Sequence, residues 1–128
     1  MNNTVTNNTR QTLLVSDLEV AETGWRRTKG LIGRSARNFN KGKGLWLLPC
    51  EGVHTIGMAF PIDVAYLDSD DRVVHMYQNL RPFRVGKLKQ RVKSVLELPA
   101  GVLAESRTEV GDQLRFADSN EQENLNVC

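Results

Sequence analysis

Ten consecutive residues, His54-Thr55-Ile56-Gly57-Met58-Ala59-Phe60-Pro61-Ile62-Asp63, bring together a histidine, a hydroxyl, a thioether and a carboxylate. Gly57 and Pro61 interrupt the run, which lets the backbone turn or approach a ligand closely. If Val53–Ile56 and Ile62–Leu67 are neighbouring strands, His54 and Asp63 come close together. A histidine–carboxylate pair can bind a small polar ligand, hold a metal or move a proton. The same residues can instead satisfy backbone groups in a bent connection.

A second acid stands in Val95-Leu96-Glu97-Leu98-Pro99-Ala100-Gly101. In a strand, Glu97 points to the face opposite Leu96 and Leu98. That face is either solvated or the lining of a pocket. In Lys29-Gly30-Leu31-Ile32-Gly33-Arg34 the glycines are too few and wrongly placed for a phosphate loop. Arg34 can clamp a carboxylate or a phosphate, form a surface ion pair, or cap a helix end. Cys50 stands four residues before His54, but its Leu-Pro-Cys context favours burial over a nucleophilic role.

No GxSxG or HExxH motif is present, and His54 and His75 are the only histidines. A histidine-rich metal site is therefore excluded, and Cys50 and Cys128 alone cannot build a zinc site of the CxxC type. No metal is assigned, and no motif names a cofactor. Two free thiols are expected, because Cys128 falls in a polar tail that makes a poor disulfide partner.

The elements that position these residues must fit into 128 residues, which suits one domain. Such a domain buries roughly two-thirds of its unfolded surface and folds without a staple. Residues 1–10 read as a disordered leader, 11–116 as a single β-rich domain, and 117–128 as a disordered tail. Strands are expected from Leu13 through Val20, at Leu45–Leu48, Val53–Ile56, Ile62–Leu67, Arg72–Tyr77, Ser94–Leu98 and Gln113–Phe116. Asp68-Ser69-Asp70-Asp71 reads as a hairpin turn between two of them. Ala21–Arg34 suggests a short helix, with a second near Pro99–Glu105. The fold class expected is mainly β: a small antiparallel barrel or sandwich with one or two short helices.

Net charge is +2, but unevenly spread. Seven cations fall within 26–43 and six within 81–93, with no acid in either segment. Only Arg10, Arg72, Arg107 and Arg115 are cationic elsewhere. Two such segments can create a local positive potential, or be two solvated basic loops. No stretch approaches the roughly 18 apolar residues of a membrane span. The first ten residues contain no apolar signal core, so a cytoplasmic location is expected.

Gly-Leu-Ile-Gly-Arg at 30–34, His54 through Asp68, Val95 through Gly101 and Gly111-Asp112, taken in order, resemble the domain of unknown function 192 family. This family is also called uncharacterised protein family 0127. The resemblance runs from about Leu13 to Phe116 and implies a compact β-rich barrel or sandwich with one or two short helices. Its members are small bacterial and archaeal proteins, and a bacterial source is expected. The resemblance assigns no activity.

Three functional readings follow. In the first, a pocket lined by His54, Thr55, Met58, Asp63 and Glu97, with Arg34 nearby, takes a small polar ligand such as a sugar or an anion. In the second, an enzyme uses Asp63 and Glu97 as acid and base. In the third, segments 26–43 and 81–93 bind nucleic acid or an acidic partner; no recognised nucleic-acid motif supports a nucleic acid.

Overall fold

The computed structural model describes residues 3–21, 35–50, 58–82, 84, 86 and 91–118. Among these residues seven strands and one short helix follow in order: β1 (Asn3–Asn7), β2 (Thr12–Ala21), β3 (Lys43–Leu47), β4 (Ile62–Leu67), β5 (Val73–Leu80), β6 (Ser94–Pro99), α1 (Val102–Glu105) and β7 (Leu114–Asp118). They form one sheet in the order β5-β4-β6-β3-β2-β1-β7, curled into a half-barrel. Every pairing is antiparallel except β2 with β3.

The two edge strands meet at one point. Arg72 bridges Gln113, immediately before β5 and β7 begin. The Val73 amide donates to the Asp112 carbonyl at 2.9 Å, and the Leu114 amide donates to the Asp71 carbonyl at 3.1 Å. Among the described residues these bonds join the edges at one end.

The central strands are buried on both sides, as their unbroken apolar runs predict. Every residue of β4 and of β6 is buried. Paired residues on adjacent strands share a face, and successive residues alternate, so the register sorts the core into two layers. All seven strands and α1 contribute to one layer, among them Val5, Leu14, Leu18, Trp46, Leu67, Met76, Leu96, Leu103 and Leu114. This layer lies inside the curl. The other layer lies on the outer face of β3, β4 and β6, where Phe39, Met58, Phe60 and Val92 cover Leu45, Val64, Tyr66 and Val95.

Two local features make the curl feasible. Gly44 lets β3 approach β2: a Cβ at that position would stand 2.6 Å from a methyl of Val15. The turn after β4 is held by Asp68, whose Oδ1 accepts from the amides of Asp70 and Arg72, both at 2.9 Å. Asp71 closes that turn at φ 61, in the left-handed region that aspartate tolerates better than most residues.

The expected hairpin is present, and β4 has the predicted bounds. Residues 3–10 correct the expectation of a disordered leader. Asn3–Asn7 form β1, which pairs with both β2 and β7. Val5 and Asn7 are fully buried. The Asn7 side chain donates to Thr108 Oγ1 at 3.0 Å and to Asp112 Oδ2 at 2.9 Å, and its Oδ1 accepts the Arg10 amide at 2.9 Å. A polar residue buried with every group engaged behaves as core, and composition alone does not register this. At the other end, β7 extends to Asp118, two residues into the expected tail. The helix expected at Ala21–Arg34 and the strand expected at Val53–Ile56 lie outside the described residues, apart from Ala21, which ends β2.

Candidate functional site

Asp63 and Glu97 occupy neighbouring strands but not the same face. Asp63 pairs with Leu98, whereas Glu97 pairs with Val64. Asp63 therefore projects with Leu98 and Ala65 towards the inner layer, and Glu97 projects with Val64 towards the outer one. An acid–base pair made of these two carboxyl groups is ruled out, because the sheet itself stands between them.

Asp63 acts as a staple. It is 1% exposed. Its Oδ1 accepts the Asn79 amide at 2.8 Å, and its Oδ2 accepts the amides of Gly101 at 3.1 Å and Leu103 at 2.9 Å. These three bonds tie β4 to the end of β5 and to the first turn of α1. Asn79 has a positive φ of 55, a region that residues other than glycine seldom adopt, and the carboxylate bonds to its amide there.

Glu97 stands in a different environment. It is 3% exposed. Register sets Tyr77, Val64, Glu97 and Leu45 in one row across four strands, and His75, Tyr66, Val95 and Leu47 in the next. Directly opposed side chains lie about 5 Å apart and diagonal neighbours about 7–8 Å, within reach of long side chains. Glu97, Tyr66, His75 and Tyr77 thus share one patch of the outer face. Two of the ring pairs are edge to face, His75 and Tyr77 with centroids 4.7 Å apart and Tyr66 and Tyr77 5.8 Å apart, and Tyr66 and His75 pack tilted at 5.5 Å. Such contacts fix ring orientation as well as adding stability.

Met58 belongs to this outer layer and is buried, and the half-buried Cys50 packs against it. His54 and Thr55 stand in sequence between these two residues. His54, Thr55 and Arg34 lie outside the described residues. Of the six residues singled out in the sequence, Met58 and Glu97 share a layer and Asp63 faces away from it. His75, Tyr66 and Tyr77 were not singled out. Their signal was available: positions 64 and 66 of one strand and 75 and 77 of the other alternate in step across a tight turn.

Part of the first basic segment is neutralised. Lys43 pairs with Asp17, and Lys41 pairs with Glu105 at 2.9 Å. Among the described residues no helix is long and apolar enough to cross a membrane.

A UPF0127 protein of Thermococcus sibiricus is 28% identical over 121 residues, covering 91% of this chain and 76% of its own. One from Pyrococcus abyssi is 33% identical over 105 residues, covering 77% and 85%. These relatives are archaeal, which gives the expected bacterial source no support. A crystal structure of a protein of unknown function from Novosphingobium aromaticivorans superposes with a TM-score of 0.73 at 23% identity, covering 88% of this chain and 82% of that one. It shares the fold. The model of the DUF192 family, described as Uncharacterized ACR, matches residues 4–116, and with the relatives it establishes that the chain belongs to the domain of unknown function 192 family.

Proposed function

We propose that this protein is a binding module for a small polar ligand carrying several hydroxyl groups, such as a sugar, held on the outer face of the sheet at Glu97. The observation that carries this reading is the shared face of Glu97, Tyr66, His75 and Tyr77, a carboxyl, two phenols and an imidazole set in an otherwise apolar layer. Polar groups placed in such surroundings recognise partners by hydrogen bonding, while the apolar lining excludes competing water. The half-buried rings of His75 and Tyr77 suit the C–H surfaces of a sugar ring, and a carboxyl accepts from its hydroxyls.

Of the two ligand classes the sequence suggested, the sugar fits better than the anion. An ionised carboxyl repels an anion, and a neutral one offers it a single donor. His54, Thr55 and Met58 belong to this reading through the stretch that joins Cys50 to β4. Asp63 does not, since its oxygens already accept three amides from the protein's own backbone.

The test is a thermal-shift screen against glucose, galactose, N-acetylglucosamine and maltose, with inorganic phosphate and citrate as anionic counterparts. A ligand present at about 100 times its dissociation constant adds roughly 2.7 kcal/mol, a shift of several degrees for a domain of this size. The expected result is a shift with a sugar that Glu97→Gln and Tyr77→Phe each reduce. Shifts with phosphate or citrate alone, or none at all, overturn the reading.

A further inference from the structure

A cleft lies on the other side of the same strands. Trp46 pairs with Leu96, and Ser94 pairs with Leu67. Trp46, Ser94 and Leu67 therefore share the inner face, opposite Glu97. Trp46 and Ser94 line a cleft of about 410 Å³, within the range of small-molecule sites. Leu48 and Pro49 form an apolar wall. The turn Asp68–Asp71 forms one rim, and Lys93 lines the cleft beside Ser94.

Two polar atoms at this cleft are unexplained by the fold. Ser94 is 3% exposed, and its hydroxyl finds no hydrogen-bond partner among the described residues. The indole N–H of Trp46 is buried and finds none among them either. Most buried polar groups are paired, and each exception calls for a reason. The Trp46 ring is not loose: it stacks on Phe116 with centroids 3.9 Å apart. Its N–H direction is therefore fixed in advance of any ligand.

The charges around the cleft are of both signs and on different elements. Lys93 directly precedes β6, and Asp71 lies in the turn between β4 and β5. Asp68 is committed to the turn, where its Oδ1 accepts from the amides of Asp70 and Arg72, whereas the Asp71 carboxyl at the cleft accepts no hydrogen bond among the described residues.

We propose that this cleft binds a free α-amino acid with an apolar side chain: its ammonium at Asp71, its carboxylate at Lys93 with the Ser94 hydroxyl and the Trp46 indole N–H donating, and its side chain against Leu48 and Pro49. A simple anion leaves the acidic turn unanswered. A simple amine leaves Lys93 and both orphan donors unanswered. A zwitterion engages all of them. Burial, with the nearby charges of Asp68 and Asp70, holds the Asp71 carboxyl above the usual carboxylate range, and a bound ammonium relieves that unfavourable environment.

The experiment follows the indole N–H resonances of the ¹⁵N-labelled protein, Trp46 being assigned as the signal absent from Trp46→Phe. L-Leucine is titrated in parallel with 3-methylbutylamine, which carries only the ammonium, and 4-methylpentanoate, which carries only the carboxylate. The expected result is a saturable shift of the Trp46 resonance with leucine, and binding of either half weaker by about tenfold or more, since each loses a charge-assisted contact. Asp71→Asn weakens leucine binding by a similar factor. Asparagine also tolerates the positive φ there, so that variant keeps the turn.

Ser94→Ala supplies a control for folding. Removing a hydroxyl without a partner does not lower the melting temperature, yet it weakens leucine binding about fivefold. Glu97→Gln, on the opposite face, leaves leucine binding unchanged, so this proposal and the sugar reading fail independently. A Trp46 resonance unmoved by leucine overturns the proposal. So does binding of the amine or the carboxylate alone as tight as that of leucine, or leucine binding unaffected by both Asp71→Asn and Ser94→Ala.

Discussion

Asp63 and Glu97 stand one residue out of register on adjacent strands, and that single step sends their carboxyl groups to opposite faces of the sheet. One carboxyl is occupied by the backbone of its own protein, while the other sits among aromatic side chains. Two acids that look equivalent in the sequence thus stand in separate environments.

Asp63→Asn is expected to destabilise the fold by about 2–3 kcal/mol. The amide can present only one oxygen where two oxygens now accept three N–H groups, and its NH₂ would meet another donor. Urea unfolding is the measurement. A lower midpoint at unchanged slope identifies a stability effect. A variant as stable as the wild type would show that the staple is dispensable.

Gly44→Ala is expected to cost about 1–3 kcal/mol, as overpacking does in a tight core. The new methyl meets Val15, which belongs to the neighbouring strand. Combining it with Val15→Ala makes room, so the double variant loses less than the sum of the single losses. Additive losses would mean that the two side chains do not compete for one space.

Asp71→Asn is expected to stabilise the protein at neutral pH. The folded-state carboxyl titrates above its ordinary value of 3.8, chiefly through burial and then through the charges of Asp68 and Asp70. A raised carboxyl favours the folded state most while protonated, below the unfolded value, and that advantage is lost as pH rises through the folded one. Asparagine removes the penalty, so the gain appears above that range and fades towards pH 3. Thermal melts of both proteins across this range provide the comparison. A gain that is constant with pH would assign the effect to backbone conformation instead.

Asp112 has the opposite sign. Burial raises its carboxyl, but hydrogen bonds from Asn7, Arg10 and the Glu109 amide outweigh burial and hold it below 3.8. The Arg10 Nε lies 3.0 Å from its Oδ2. A lowered carboxyl stabilises the fold above the unfolded value, and this is lost as pH falls through the folded one. Asp112→Asn should therefore be less stable than wild type at pH 7, and the two melting curves should converge as the medium becomes strongly acidic. A deficit of equal size at every pH would exclude the charge as its source.

Much of the fold was legible in the residues. β3, β4 and β6 show as short apolar runs ended by Pro49, Asp68 and Pro99, and a strand buried on both faces reads that way. β1 was not legible, because its buried positions are a valine and an asparagine, and the asparagine's partners are Thr108 and Asp112, about a hundred residues away. The candidate site was half legible. Glu97 and Met58 could be singled out by type, but which face each acid takes depends on register, and register is a property of the pairing. The same holds for His75, whose neighbours Tyr66 and Tyr77 are polar aromatics that read as ordinary strand residues.

The pairing of β1 with β7 sets the order in which this molecule can assemble. Thr4 meets Ala117 across 113 positions of chain, whereas β4 and β5 need only a tight turn. Local hairpins form in microseconds, but closing long loops is costly before any contact repays the entropy. The β4–β5 hairpin can therefore form early. β1, although it pairs with β2 nearby, gains its second partner only when the far segment arrives. Until then one side of β1 is an open ladder of amides and carbonyls, available to any passing strand. The buried Asn7 marks that edge as one meant to be filled, since its side chain is satisfied by the loop that leads into β7.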